Sequence, residues 1–143
     1  EGYTIREIMI IASMIEKESA NNAESYKIAS VIFNRLAEPA NYPYLNIDAT
    51  IVYALNGKSE LTKEDLEIDH PYNTYKNTGL PPGPICVPSI AGIEAVLNHE
   101  KNNYIYMCAK EDFSGTHNFA TNYAEHQKNA ARYVKALNQR GIR

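Results

Sequence analysis

The segment Thr4–Ala20 (TIREIMIIASMIEKESA) constrains the fold most, because it predicts an amphipathic helix whose apolar stripe ends in a carboxylic acid. Thr4 and Glu7 have the spacing of a capping box, and no proline or glycine interrupts the segment. The stripe consists of apolar residues at helical spacing, namely Ile8, Ile11 and Ile15. Glu18 continues this stripe. We therefore expect a desolvated carboxyl group with a raised pKa, the state in which an acid keeps its proton near neutral pH.

The alternative for Glu18 is that it turns outward at the helix end and is solvated. Glutamates are common at helix ends, so the helical pattern alone favours this alternative. Glu16 and Lys17 lie off the apolar stripe and can reach water. The helix therefore identifies Glu18 as a candidate acid without deciding its role.

The composition is that of one soluble globular domain. A chain of 143 residues buries about 70% of the surface that its unfolded form exposes, and its hydrophobic content of 44% and charged content of 22% are ordinary. The net charge of −3 gives no reason to expect a nucleic acid or an anionic membrane as a partner. No apolar run approaches the ~20 residues of a membrane span. We expect a single domain over residues 1–143.

The remaining pattern predicts a mostly helical α+β domain. Helices are predicted at 24–37, 49–55, 89–98 and 122–137, with a helical turn at 62–66. Alternating residues at 104–109 and 116–120 predict a β-hairpin with Gly115 in its turn. The stretch 69–89 is irregular and holds five of the seven prolines, which is typical of a functional or a disordered segment. Its large apolar residues argue against disorder: Tyr72, Tyr75, Leu80 and Ile85.

The sequence lacks the motifs of several chemistries. It contains no glycine-rich phosphate loop and no Gly-x-Ser-x-Gly motif. The four histidines have no cysteine or histidine at a common zinc spacing, although His117 and the pair Glu125-His126 could meet in space. Cys108 falls in an apolar strand, which favours an inert thiol, and its pairing with Cys86 is open. We expect no metal and no cofactor.

Blocks along nearly the whole chain resemble one known family. In chain order they are ASMIEKES at 12–19, ASVIFNRL at 29–36, PYNTY at 71–75, GLPPGPI at 79–85 and GTHNF at 115–119. This combination is similar to the YceG-like endolytic murein transglycosylases, also called MltG. The most specific part of the resemblance is YNTY followed by GLPPGPI.

The resemblance implies a lysozyme-like catalytic domain with a small β-hairpin that cleaves within peptidoglycan glycan strands. It implies that Glu18, the second glutamate of EKES, is the catalytic residue. Members of this family carry an N-terminal membrane anchor and an extra small domain, so residues 1–143 are expected to be one part of a longer protein. The implied location is the periplasmic face of the bacterial inner membrane. The implied partners are glycan strands and, as a further candidate, the cell-wall synthesis machinery.

The implied reaction needs one carboxyl group. Glu18 would protonate the bond between N-acetylmuramic acid (MurNAc) and N-acetylglucosamine (GlcNAc), and would then deprotonate the MurNAc C6 hydroxyl to close a 1,6-anhydro ring. One alternative is a hydrolytic muramidase in which Asp48 or another acid assists an attacking water. Asp48 is interpreted instead as the cap of the helix that begins at Ala49. The other alternative is a noncatalytic peptidoglycan-binding module.

Four further residues are candidate substrate-binding residues: Asn73, Thr74, Tyr75 and His117. The amide and hydroxyl groups of the NTY segment could bind sugar hydroxyl or N-acetyl groups. For Asn73 and Thr74 the alternative is a turn that only shapes the loop. For Tyr75 the alternative is a place in the core beneath the proline loop. We expect His117 to line the cleft from the hairpin.

Overall fold

The computed structural model describes residues 2–19, 22–58 and 61–140. Within these residues the chain forms five α-helices and one antiparallel pair of strands. In chain order the elements are α1 (Ile5–Glu18), α2 (Asn22–Leu36), α3 (Asp48–Ala54), a 3-10 turn (Asp65–Glu67), α4 (Ile90–Leu97), β1 (Tyr106–Ala109), β2 (His117–Ala120) and α5 (Tyr123–Gln139). The predicted class, a mostly helical α+β domain, is confirmed.

Helix α1 lies at the centre of the core. Its capping box forms as predicted, with Glu7 N donating to Thr4 Oγ1 (3.1 Å) and Thr4 N donating to Glu7 Oε1 (2.9 Å). The helix ends at Glu18, while the predicted last residue, Ala20, lies outside the described residues. The turns before Glu18 are completely buried at Ile11, Met14 and Ile15. Glu18 therefore follows directly on the buried part of the helix.

Helices α2, α3 and α4 pack around α1. The core between them consists of branched aliphatic side chains, including Ile28, Ile32, Leu45, Ile47 and Val96. Burial of each such side chain contributes about 1.5–3 kcal/mol. Packing rather than helix propensity therefore stabilises these short helices.

The hairpin and α5 form the other side of the domain. Strands β1 and β2 pair antiparallel, with Tyr106 opposite Ala120, as the alternating pattern predicted. Helix α5 packs on both strands and is capped by Asn122, whose side chain accepts a hydrogen bond from Glu125 N (2.8 Å). Strand β1 also contacts α2, which attaches the hairpin to the helical core.

The proline-rich stretch 69–89 is irregular, as predicted, and hydrogen bonds hold it to α1. Ile85 N donates to Ser13 Oγ (3.0 Å), and the Arg6 guanidinium donates to Pro82 O. Ile85 is itself part of the core. The stretch is thus ordered, as its large apolar residues predicted.

Cys86 and Cys108 are both free. Burial raises the pKa of each thiol, which keeps it in the unreactive protonated form. Among the helices of the described residues, none combines the length and the hydropathy that crossing a bilayer needs.

Candidate active site

A cleft separates the helical core from the hairpin and α5. It has a volume of about 550 Å³, and its walls include Glu18, Asp48, Tyr75, Tyr106 and His117. A second concave region of about 460 Å³ lies beside α3, and Glu18 and Asp48 line it as well. The two carboxyl groups therefore lie at the junction of two depressions in the surface.

Glu18 is the last residue of α1, and its carboxyl group reaches the first turn of α3. Ala49 N donates a hydrogen bond to Glu18 Oε2 (3.1 Å). Within residues 2–19, 22–58 and 61–140, Glu18 Oε1 has no hydrogen-bond partner. Because Oε2 accepts the amide hydrogen, the proton of the neutral acid belongs on Oε1.

Burial raises the pKa of Glu18 above its usual value of 4.5, and this desolvation is the largest effect. The Ala49 N–H opposes it by binding the charged form. The negative charge of Asp48 raises the pKa further, and a protonated His117 ring would lower it. The net result is a pKa above the usual value. Glu18 is half-buried in the cleft wall rather than turned out into solvent, which agrees with the expected desolvation.

Glu16, two residues earlier, lies on another face of α1. It is exposed, and its Oε1 accepts hydrogen bonds from Ser89 Oγ (2.8 Å) and Ser89 N (3.2 Å) at the start of α4. Glu16 therefore stabilises the junction of α1 and α4, away from the cleft.

The interpretation of Asp48 as a helix cap is wrong. Helix α3 begins at Asp48 itself, its cap residue is Ile47, and no side chain makes a capping hydrogen bond. Asp48 Oδ1 instead accepts a hydrogen bond from the Tyr75 hydroxyl (2.5 Å). The carboxylate lies in the cleft wall near Glu18, where its charge acts on the acid.

Tyr75 is half-buried and lines the cleft. Burial raises the pKa of its hydroxyl, and the hydrogen bond to Asp48 and the nearby charges of Asp48 and Glu18 raise it further. The hydroxyl therefore stays protonated and donates to Asp48. A sugar contact by the Tyr75 ring stays a prediction.

Asn73 is completely buried beneath Tyr75. Its Nδ2 donates to Leu66 O (3.1 Å) and Ile68 O (2.7 Å), and its Oδ1 accepts from Tyr75 N (2.8 Å). Both polar groups of the side chain are thus used within the loop. The contact with Tyr75 N forms a side-chain turn, which is the predicted alternative for Asn73.

Thr74 is buried as well, with 1% of its surface exposed. Its Oγ1 accepts from Ile47 N (2.8 Å) and lies 3.0 Å from Thr50 Oγ1. These bonds join the loop to the start of α3. A direct sugar contact by Asn73 or Thr74 stays a prediction, but their burial favours the loop-shaping alternative.

His117 lies at the start of β2 and lines the cleft. Its partner is Glu24, which sequence analysis did not identify. Glu24 Oε2 accepts from His117 N (2.8 Å), and Glu24 Oε1 lies 2.9 Å from His117 Nδ1. Acidic residues are common in the first turn of a helix because they interact with its dipole. Nothing in the local sequence therefore distinguished Glu24.

An aromatic wall on the hairpin side of the cleft also went unidentified. Arg35 Nε donates to Ile105 O (2.7 Å), and the Arg35 guanidinium lies 5.1 Å from the ring centre of Tyr106. Tyr106 stacks on His126 with ring centres 4.8 Å apart. The only sequence signal for this wall was the high tyrosine content, eleven tyrosines against no tryptophan.

In the part of the chain that the structure describes, no group of three or more histidine, cysteine, aspartate or glutamate side chains is arranged to hold a metal ion. His117 is bonded to Glu24, whereas His126 is stacked on Tyr106. The two histidines that the sequence left open as metal ligands thus have different partners.

The fold and the site define a mostly helical α+β domain with a desolvated glutamic acid in an open cleft. This chain belongs to the YceG-like family, whose sequence model matches residues 1–132. The resemblance found in the sequence blocks is therefore confirmed.

Relatives in this family match nearly the whole chain. The endolytic murein transglycosylase of Bacillus subtilis (strain 168) is 39% identical over 138 residues, which cover 96% of this chain and 37% of that protein. The endolytic murein transglycosylase of Streptococcus pneumoniae serotype 2 (strain D39) is 37% identical over 142 residues, which cover 95% of this chain and 25% of that protein. The crystal structure of a yceG-like protein from Listeria monocytogenes is 43% identical, with a TM-score of 0.80 over 87% of this chain and 39% of that chain. This chain thus spans 25–39% of the length of these relatives.

Proposed function

We propose that this chain is the catalytic domain of an endolytic murein transglycosylase, which cleaves the MurNAc–GlcNAc bond within peptidoglycan glycan strands. Membership of the YceG-like family and the names of the two relatives support the proposal. The observation that carries it is the Glu18 carboxyl group, which is desolvated, held at one oxygen by Ala49 N–H and located in the cleft. An acid in this state suits proton transfer, which a noncatalytic binding module does not carry out.

In the first half of the reaction, Glu18 acts as the general acid. Oε1 carries the proton and transfers it to the glycosidic oxygen as the bond from that oxygen to MurNAc C1 breaks. The raised pKa keeps more of Glu18 protonated near neutral pH than an ordinary glutamate would be. Ala49 N–H stabilises the carboxylate that remains, and it is already in place because α3 fixes it.

In the second half, the Glu18 carboxylate removes the proton of the MurNAc C6 hydroxyl while the C6 oxygen attacks C1 of the same sugar. The new bond between C1 and O6 replaces the broken glycosidic bond, and Glu18 regains a proton. No water enters the products, so the reaction is a lyase reaction that leaves a 1,6-anhydro-MurNAc end. The nucleophile belongs to the substrate itself, which gives the advantage of an intramolecular step. One carboxyl group therefore suffices.

The surface around Glu18 suits cleavage inside a strand. Glu18 and Asp48 border both concave regions, so a glycan strand can extend away from the acid in two directions. An enzyme that acts only at strand ends needs a wall on one side of the acid. The two depressions therefore support the endolytic reaction.

A second candidate function is a hydrolytic muramidase, and the position of Asp48 favours it. Asp48 does not cap α3, is exposed, and lines the same cleft as Glu18. In a hydrolase such a carboxylate activates water or attacks the sugar. The Tyr75 hydroxyl already donates to Asp48 Oδ1, so this oxygen is engaged within the protein, and we prefer the one-carboxylate reaction.

We also propose that the domain meets its substrate outside the cytoplasm, at the periplasmic face of the inner membrane. The support is the substrate, because peptidoglycan lies there. A membrane anchor in the full protein and contacts with the cell-wall synthesis machinery are proposed from the family resemblance alone. Fractionation of cells that express the full-length protein tests the anchor.

Digestion of isolated glycan strands, followed by separation of the products by length, tests the proposed function. Internal cleavage produces fragments of intermediate length early in the reaction. The Glu18→Gln protein, which lacks the transferable proton, is the matched control. Release of disaccharides from the first time point contradicts the endolytic assignment, and uncut strands contradict catalysis altogether.

A further inference from the structure

Glu24 reaches from the first turn of α2 to His117 at the start of β2 and uses both of its carboxylate oxygens. Oε2 accepts from His117 N (2.8 Å), and Oε1 lies 2.9 Å from His117 Nδ1. The Glu24 and His117 side chains are mostly buried, with 16% and 12% of their surfaces exposed. The pair is therefore a fixed element of the fold.

The carboxylate determines the tautomer of the His117 ring. An ionised carboxylate can only accept hydrogen bonds, so the Nδ1 that faces it carries a proton. In the neutral ring, Nε2 is then unprotonated and is itself an acceptor. Across the three described ranges, His117 Nε2 has no hydrogen-bond partner. His117 and Glu18 both line the cleft.

We propose that Glu24 is a positioning residue that presents His117 Nε2 to the cleft as a fixed hydrogen-bond acceptor beside Glu18. The group that it recognises is a donor on the bound sugar, either a hydroxyl or the N–H of an N-acetyl group. An N-acetyl carbonyl, which is itself an acceptor, does not bind there. The proposal rests on the proposed function for its ligand, a peptidoglycan glycan.

The substitution Glu24→Gln inverts this arrangement while keeping its shape. His117 N still needs an acceptor, so it holds the glutamine carbonyl oxygen. The glutamine NH₂ group then faces Nδ1 and donates to it, which moves the ring proton to Nε2. The nitrogen that faces the cleft changes from an acceptor to a donor. In the variant, the Nε2–H of His117 faces the sugar hydroxyl or N–H that Nε2 had bound, and two donors cannot form a hydrogen bond.

Two measurements test the proposal in the Glu18→Gln protein, which does not consume its ligand. Nitrogen NMR of the His117 ring reports the tautomer, and calorimetry reports the affinity for a soluble oligosaccharide of alternating GlcNAc and MurNAc. We expect Nδ1–H with Glu24 and Nε2–H with Glu24→Gln, together with about a tenfold loss of affinity, the value of one hydrogen bond. Glu7→Gln is the matched control, because Glu7 is also a first-turn glutamate that accepts a backbone N–H.

Each outcome decides the proposal. A His117 ring that carries a proton on Nε2 when Glu24 is present overturns it, and this measurement needs no change at Glu24. A tautomer that inverts without loss of affinity overturns the sugar contact. Failure of the proposed function is a different result, in which the parent Glu18→Gln protein does not bind the oligosaccharide at all.

Discussion

The hydroxyl of Tyr75 donates a hydrogen bond to Asp48 Oδ1 (2.5 Å) and so joins the irregular loop to the first residue of α3. The Asp48 carboxylate thus bonds Tyr75 instead of capping α3, and it lies close to Glu18. The charge of Asp48 raises the pKa of Glu18, in the same direction as burial. We therefore propose that Asp48 acts on the reaction through the acid rather than as a second catalytic carboxylate.

The substitution Asp48→Asn tests this role. Asparagine keeps an oxygen that can accept from Tyr75 but removes the charge, so the pKa of Glu18 falls. Burial and the Ala49 N–H still act on Glu18. Because Glu18 must be protonated to act, we expect the alkaline limb of the pH profile of kcat/KM to move to lower pH, with most activity kept at the optimum.

An unshifted alkaline limb shows that Asp48 does not tune Glu18. A loss of activity as deep as that of Glu18→Gln, in a folded Asp48→Asn protein, supports the two-carboxylate hydrolase instead. Circular dichroism of the variant establishes that it is folded.

The substitution Glu18→Gln keeps shape and polarity but removes the transferable proton. We expect turnover to fall at least ~100-fold, the lower end of acid–base contributions. Glu16→Gln is the matched control, because Glu16 binds Ser89 and lies away from the cleft. It should keep activity and lose about 1 kcal/mol of stability, from a weakened hydrogen bond. Full activity in Glu18→Gln together with inactivity in Glu16→Gln would refute the assignment.

Glu18 also makes stability depend on pH, with a defined sign. Its pKa in the folded protein is raised above the usual 4.5, so the stability that it contributes is present below that value and is lost as pH rises through the folded pKa. Glu18→Gln lacks this loss. We expect the free energy of unfolding of Glu18→Gln, relative to the parent protein, to increase across this window in denaturant titrations. If the difference in the free energy of unfolding between Glu18→Gln and the parent protein does not change with pH, the pKa of Glu18 is not raised.

The substitution Tyr75→Ala distinguishes a sugar contact by Tyr75 from a role in the core. Tyr75→Ala should weaken binding of a soluble glycan fragment to the Glu18→Gln protein by about 1–3 kcal/mol, from a lost ring contact and hydroxyl. Because Tyr75 is half-buried, the loss of stability should be smaller than the roughly 3–5 kcal/mol of a buried aromatic. Tyr75→Phe, which keeps the ring, isolates the hydroxyl. Unchanged binding with a large fall in melting temperature would assign Tyr75 to the scaffold.

For Thr74 we expect a structural role rather than a sugar contact. In Thr74→Val the Ile47 N–H loses its acceptor in a buried site, which should cost about 1–3 kcal/mol in the free energy of unfolding. Thr74→Ser keeps the hydroxyl and should lose less. We expect both folded variants to keep the parent KM. A raised KM in Thr74→Val with unchanged stability would instead indicate a direct sugar contact.

The sequence predicted the parts of the fold whose signals are local. Thr4 caps α1 as predicted, because a cap is determined by a few neighbouring residues. Glu18 was identified as a candidate acid for the same reason, because the helical period predicts that it continues an apolar stripe. Its catalytic role was implied only by the family resemblance, since the helical pattern alone favoured a solvated glutamate.

The contacts around Glu18 were not predictable from the sequence, because tertiary packing creates them. Glu18 and Ala49 are 31 residues apart, Asp48 and Tyr75 are 27 apart, and the pair of Glu24 with His117 spans 93. The Asp48 prediction failed because an aspartate before a helix is usually a cap, whereas α3 starts one residue earlier.

In the proposed reaction one carboxyl group closes an internal ring, and no water is consumed. Mass spectrometry of peptidoglycan fragments produced by this protein in ¹⁸O-labelled water distinguishes this reaction from hydrolysis. We predict 1,6-anhydro-MurNAc ends without ¹⁸O from the parent protein and no new ends from Glu18→Gln. Reducing MurNAc ends that carry ¹⁸O would instead identify a hydrolase.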